Sequence, residues 1–163
     1  GNVHYDPVTT TFVTKDAVSD FEASANFLIP SRANAVDVIV DNGAATFTGS
    51  WAGSTYNTGQ FFGADYRHST TVGSTAQFTP NLLAGNYRVY AMWSGGSDRA
   101  ATASYAITHA GGTTNVVRSQ RDCRGVWVEL GTFAFNAGIG GNVKLTTTGA
   151  GGITIADAVR FQQ

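Results

Sequence analysis

Three histidines, one cysteine, eleven acids and ten bases are the groups in this chain that could do chemistry. Their spacing argues against most of it. His68 stands between Asp65-Tyr66-Arg67 and Ser69, which invites a Ser/His/Asp arrangement. Adjacent residues of a strand point to opposite faces, so His68 and Ser69 do not pair easily. No Gly-x-Ser-x-Gly elbow occurs, and His4 and His109 lie in unrelated contexts, the latter at a hairpin turn. There is no His-x-x-x-His or Cys-x-x-Cys spacing for zinc. Asp41-Asn42 or Ser97-Asp98 could lend oxygens to a structural Ca²⁺, but the plain turn reading of both pairs is preferred. Cys123, alone in Arg121-Asp122-Cys123-Arg124, has no internal disulfide partner, and an inert, partly buried turn thiol is expected. No catalytic residue, metal ligand or cofactor is assigned.

What remains is recognition by contact. Stacking on a sugar ring needs exposed aromatic faces, and hydroxyls need planar polar groups beside them. Trp51 and Tyr56 flank a Gly/Ser/Thr-rich loop at 52–59 and are the rings expected to reach solvent. Phe61, Tyr66, Arg67 and Arg99 complete the candidate ligand-binding set. Trp93 and Trp127 stand in apolar strands and are expected in the core. Arg160, three residues from Asp157, reads as half of an internal Asp/Arg tie rather than a ligand clamp.

The elements that must position these groups are strands. Gly85 to Trp93 alternates large and polar side chains, and the run from Ala103 to His109 meets Thr113 to Arg118 across Ala110-Gly111-Gly112. The stretches Trp127 to Phe135 and Ile153 to Phe161 follow. Val36 to Val40 runs into the tight-turn sequence Asp41-Asn42-Gly43 and out through Ala44 to Trp51. Val143 to Thr148 is expected to pair with the last strand through the turn at 149–152. Nine or ten short, period-two segments with Gly-rich punctuation predict an all-β fold. A two-sheet antiparallel β-sandwich of jelly-roll type buries both inner faces.

The 163 residues, 42% hydrophobic and 12% aromatic, suffice for one real core. Charged residues are only 13%, while Gly numbers 20 and Thr 21. Eight of the ten bases are Arg and the net charge is -1, so no basic field exists to gather nucleic acid. No apolar run approaches the roughly 20 residues a membrane-spanning helix needs, and no membrane insertion is expected. No leader-like stretch opens the sequence at Gly1, which reads as a processed or trimmed form. Residues 1–35 carry four acids and two bases and form an N-terminal arm, distinct from the domain at 36–163. Within the arm, Asp20 could cap a short helix ended by Pro30, and Thr11-Phe12-Val13-Thr14 has strand propensity.

From about residue 36 onward the chain resembles the golvesin C-terminal-like domain, a carbohydrate-binding-module-like unit also found in xanthan lyases. The resemblance is carried by Val38-Ile39-Val40-Asp41-Asn42-Gly43, by Phe47 to Trp51, and by Phe62-Gly63-Ala64-Asp65-Tyr66-Arg67. It continues through Gly85 to Trp93, Arg99-Ala100, the hairpin at 107–114, Trp127 to Phe133 and Ala156 to Phe161. The resemblance implies a non-catalytic β-sandwich working outside the cell or on its surface, with a polysaccharide or cell-surface glycan as partner. The family's aromatic pair after the Tyr-rich strand stands here as Met92-Trp93, and the arm lies outside the resemblance. A second expectation comes from that arm: Thr11, Phe12, Val13 and Thr14 could add a strand to another copy of the chain, building a filament, surface layer or virion.

Overall fold

The computed structural model describes residues 37–149 and 151–163. The strand and helix readings at 11–14 and 20–29 lie outside the described residues. Among the described residues there are twelve strands: β1 (Asp37–Asp41), β2 (Thr46–Thr48), β3 (Ala52–Ser54), β4 (Tyr66–Ser69), β5 (Thr75–Phe78) and β6 (Gly85–Met92). Then come β7 (Ala103–His109), β8 (Gly112–Arg118), β9 (Val128–Phe135), β10 (Asn142–Thr146), β11 (Thr154–Ala156) and β12 (Ala158–Gln162).

They form three antiparallel sheets. Sheet A has the order β1-β12-β6-β9, sheet B the order β2-β5-β10-β7-β8, and a short sheet C the order β11-β4-β3. The chain crosses repeatedly between A and B, giving the expected all-β jelly-roll sandwich. Period-two alternation decides what each layer buries. On β6, Tyr87, Val89 and Ala91 are at most 1% exposed, and on β7 and β10 Tyr105, Ile107, Val143 and Leu145 are at most 2% exposed. These inner residues form one core with Phe78, Trp93, Phe135, Ile155 and Phe161. Each large side chain so removed from water contributes about 2–3 kcal/mol. Edge-on packing of Phe135 against both Tyr87 and Phe161, at 5.8 and 5.7 Å, interlocks that layer.

The hairpin β7–β8 turns as the sequence suggests, with Thr108 opposite Thr113 and His109 opposite Gly112. Two local readings do not hold. β10 pairs with β5 and β7, not with the last strand, which lies between β1 and β6. After β10 the chain changes layers, and Thr147 is held in that crossing by Ser74 and Gly73 backbone bonds at 2.9 Å. Asp41-Asn42-Gly43 is likewise a crossing: the Asp41 carboxylate accepts the Asn42 N–H at 2.8 Å and caps a 3₁₀ turn leading from sheet A into sheet B.

Candidate functional site

The outward face of sheet A gathers side chains able to hold a ligand. Because Tyr87, Val89 and Ala91 point inward, Asn86, Arg88, Tyr90 and Met92 point outward. On β12, Val159 and Phe161 are buried, which leaves Arg160 and Gln162 outside. Register aligns these residues into rows about 7 Å apart along the strands. Arg88 stands between Gln162 and Thr132, while Tyr90 stands between Arg160 and Glu129.

One irregularity completes the face. Val89 is opposite Gly131 but Tyr90 is opposite Glu129, so Leu130 is an extra residue on β9. Such a bulge switches the sidedness of everything before it. Leu130 is buried at 4% exposure, and Gly131 adopts a φ of +150, where a Cβ would press on the Phe133 ring at 2.8 Å. Glu129 therefore turns outward, and Trp127 turns with it. The Trp127 ring packs against Phe62 at 5.8 Å between centroids. Trp127 is half-buried and not the core residue that the sequence suggests.

Arg160 is fixed among these rings. Its guanidinium lies 6.0 Å from the Tyr90 ring centre and 5.9 Å from that of Trp127. Its fork donates to both carboxylate oxygens of Asp37 at 2.8 and 2.7 Å, which holds the Arg160 pKa above its usual value. The Asp/Arg tie exists, but its acid is Asp37 on β1 rather than Asp157. Asp157 is three residues from Arg160 and so faces the other way.

Asp157 does different work. It is 1% exposed, between β11 and β12, and both its carboxyl oxygens receive the Phe62 N–H at 3.1 Å. Burial pushes its pKa up to about 8, the Phe62 N–H opposes that rise, and nearby Asp41 and Asp65 add to it. The bond anchors the segment that lays Phe62 on Trp127. Gly63 follows at a φ of +69, where a Cβ would collide with the Asp41 carboxylate.

Beside the aromatic cluster, Asn86, Arg88, Thr132, Gln162 and Gln163 line an open groove of about 380 Å³. Three amides, a guanidinium and a hydroxyl there can donate to and accept from a polyhydroxylated chain.

The residues singled out from sequence are dispersed. Tyr66 and Arg99 are buried at 2% and 5% exposure, with the Arg99 guanidinium donating to the Tyr66 hydroxyl at 3.4 Å and to the Ser94 carbonyl at 3.1 Å. They brace strands and present no group to a polymer. Phe61 packs on Tyr66 at 5.5 Å against the core. Trp51 is half-buried against Phe47 at 5.4 Å and donates its indole N–H to the Thr48 carbonyl at 3.0 Å. Tyr56 is 72% exposed, and Arg67 is half-buried on β4 with its guanidinium beside Gly53. Thr11, Phe12, Val13 and Thr14 lie outside the described residues.

Ser69 Oγ accepts the Thr71 N–H at 3.1 Å, an ST-turn bond. Asp98 pairs with Arg99 at 3.0 Å, and among the described residues no three His, Cys, Asp or Glu side chains are placed to hold a metal ion. Cys123 is exposed in a turn at a φ of +56, more open than expected.

Residues 38–163 match the family model described as the Golvesin C-terminal domain. A xanthan lyase of Bacillus sp. (strain GL1) is 38% identical over 142 residues, which is 81% of this chain and 15% of that protein. The solved structure of a Paenibacillus xanthan lyase superposes with a TM-score of 0.74 at 39% identity, covering 78% of this chain and 13% of that one. A family 35 carbohydrate binding module from Clostridium thermocellum shares the fold at a TM-score of 0.59 and 19% identity, covering 78% of this chain and 98% of the module. The chain thus spans a small part of the lyases' length, and its likeness to the module is one of fold.

Proposed function

Starting from the fact that the chain belongs to the golvesin C-terminal domain family, we propose that it is a non-catalytic module that recognises polysaccharide outside the cell. The outer face of sheet A is the binding surface. The observation that carries this reading is the juxtaposition of the Trp127, Tyr90 and Phe62 rings with a groove lined by amides, a hydroxyl and Arg88. Rings supply apolar faces for the C–H side of a pyranose, and planar polar groups satisfy its hydroxyls. The bulge at Leu130 and the Asp157–Phe62 bond fix these groups before any ligand arrives, which lowers the entropy lost on binding. Two further facts lend support. The lyase relatives, by their name, act on xanthan, and a carbohydrate binding module shares the fold.

Native gels cast with xanthan, polygalacturonate, galactan, mannan and mixed-linkage glucan test the reading. At least one polymer is expected to retard the protein. Trp127→Ala should weaken that retardation about tenfold, a loss of about 1.4 kcal/mol. Lys144→Ala, on the outer face of sheet B, should leave it unchanged. Retardation by none of these polymers contradicts the proposal.

A further inference from the structure

We infer that the groove on sheet A selects acidic polysaccharide, its Arg88 guanidinium gripping the carboxylate of a uronic acid residue. This rests on the reading of that face as a glycan-binding surface and names the class of glycan it takes. Two arginines project from the same face in neighbouring rows. Arg160 has its fork filled by both oxygens of Asp37. Arg88, one row away, makes no hydrogen bond or ion pair within the described residues. The ion pairs there are Arg160 with Asp37 and Arg99 with Asp98.

The cross-strand neighbours of Arg88 are Thr132 and Gln162, both uncharged and both lining the groove. Asn86 and Gln163 close the rest of the lining, and neither has an acidic side chain. Among the described residues, the side chains lining the groove therefore carry one positive charge and no negative one. A guanidinium in that setting matches a planar carboxylate with two parallel hydrogen bonds. The amides and the Thr132 hydroxyl are left for the sugar hydroxyls next to it. A chain of net charge -1 has no general attraction for polyanions, so selectivity has to come from this local placement.

The test is a titration of the full chain with sodium polygalacturonate, with the same polymer after carboxyl reduction, and with dextran sulfate. Arg88→Gln and Arg88→Lys are measured alongside. Arg88 is exposed on the sheet, so both variants should keep the parent's unfolding midpoint. Polygalacturonate should bind at least about tenfold more tightly than its reduced form, a difference worth about 1.4 kcal/mol. Arg88→Gln should erase that preference, Arg88→Lys should restore part of it, and dextran sulfate should bind more weakly than polygalacturonate. Equal affinity for the acidic and reduced polymers, unchanged in Arg88→Gln, overturns the acidic preference while sparing the glycan-binding reading. Tighter binding of dextran sulfate also overturns it, as charge attraction without carboxylate recognition. Failure of both galacturonate-derived polymers to bind, with other glycans retained, overturns the uronate assignment alone. Failure of every glycan takes the parent reading with it.

Discussion

The sandwich has two outer faces, built by the same alternation, and they are chemically unlike. Across sheet A run Ile39, Arg160, Tyr90 and Glu129 in one row, with Trp127 and Phe62 packed at its side. Across sheet B the corresponding row is Thr46, Gln77, Lys144, Ala106 and Asn115, and the next is Thr48, Thr75, Thr146, Ser104 and Val117. Those two rows carry no aromatic ring and a single charge. Thr48 and Thr75 even satisfy one another at 2.6 Å. A sandwich needs only soluble, β-compatible residues on its outside, and sheet B shows what that requirement alone produces. Sheet A departs from it by adding half-buried rings, a clamped arginine and an unclamped one. That difference is what sets the proposed binding face apart from the plain one.

The largest effect should come from the residue at the bulge of sheet A. Deleting Leu130 takes away the extra residue of β9 but leaves Glu129 opposite Tyr90 and Val128 opposite Ala91, so Trp127 and Glu129 stay outward while the core loses a buried side chain. Losing that buried leucine should cost about 3 kcal/mol, read from urea unfolding. A loss under about 1 kcal/mol would show that Leu130 contributes little to the core.

A smaller effect follows from the acid beneath the aromatic cluster. Folded Asp157 keeps its proton to about pH 8, against a usual value of 3.8. Between those limits the folded chain binds a proton that the unfolded chain has released, so this residue's contribution to stability falls as pH rises from about 4 to 8. The unfolding midpoint should decline across that window, and Asp157→Asn, which still offers Phe62 an acceptor, should flatten the decline. Equal slopes for parent and variant would contradict the assignment.

Where sequence reasoning worked, the determining pattern was local. The β7–β8 hairpin is legible because Gly111 and Gly112 separate two alternating runs that pair directly. The buried set on β6 follows from its period of two. Reasoning from local pattern placed β10 beside the last strand, but the pairing is set by the closing of two layers, which adjacent sequence does not encode. Trp127 reads as a core residue because it stands in an apolar strand. Two signals spoke against that: Glu129 shares the same parity, and Gly131 sits inside a strand, where a glycine often marks a bulge. Arg160 was matched with Asp157 by proximity along the chain, although an odd spacing of three sends them to opposite faces. Its true partner, Asp37, is 123 residues away and becomes visible only once β1 and β12 pair. The candidate surface was thus present in the sequence as scattered rings and arginines, and only the register of four strands brought them together.

The claim that the outer face of sheet A is the binding surface is tested most directly by amide chemical-shift mapping with an oligosaccharide cut from whichever polymer retards the protein. The account predicts that the largest perturbations fall on Asn86, Arg88, Tyr90, Trp127, Thr132, Arg160 and Gln162, with Thr46, Gln77, Lys144 and Asn115 unmoved. Perturbations centred on the sheet B rows, or on the loop around Tyr56, would contradict it.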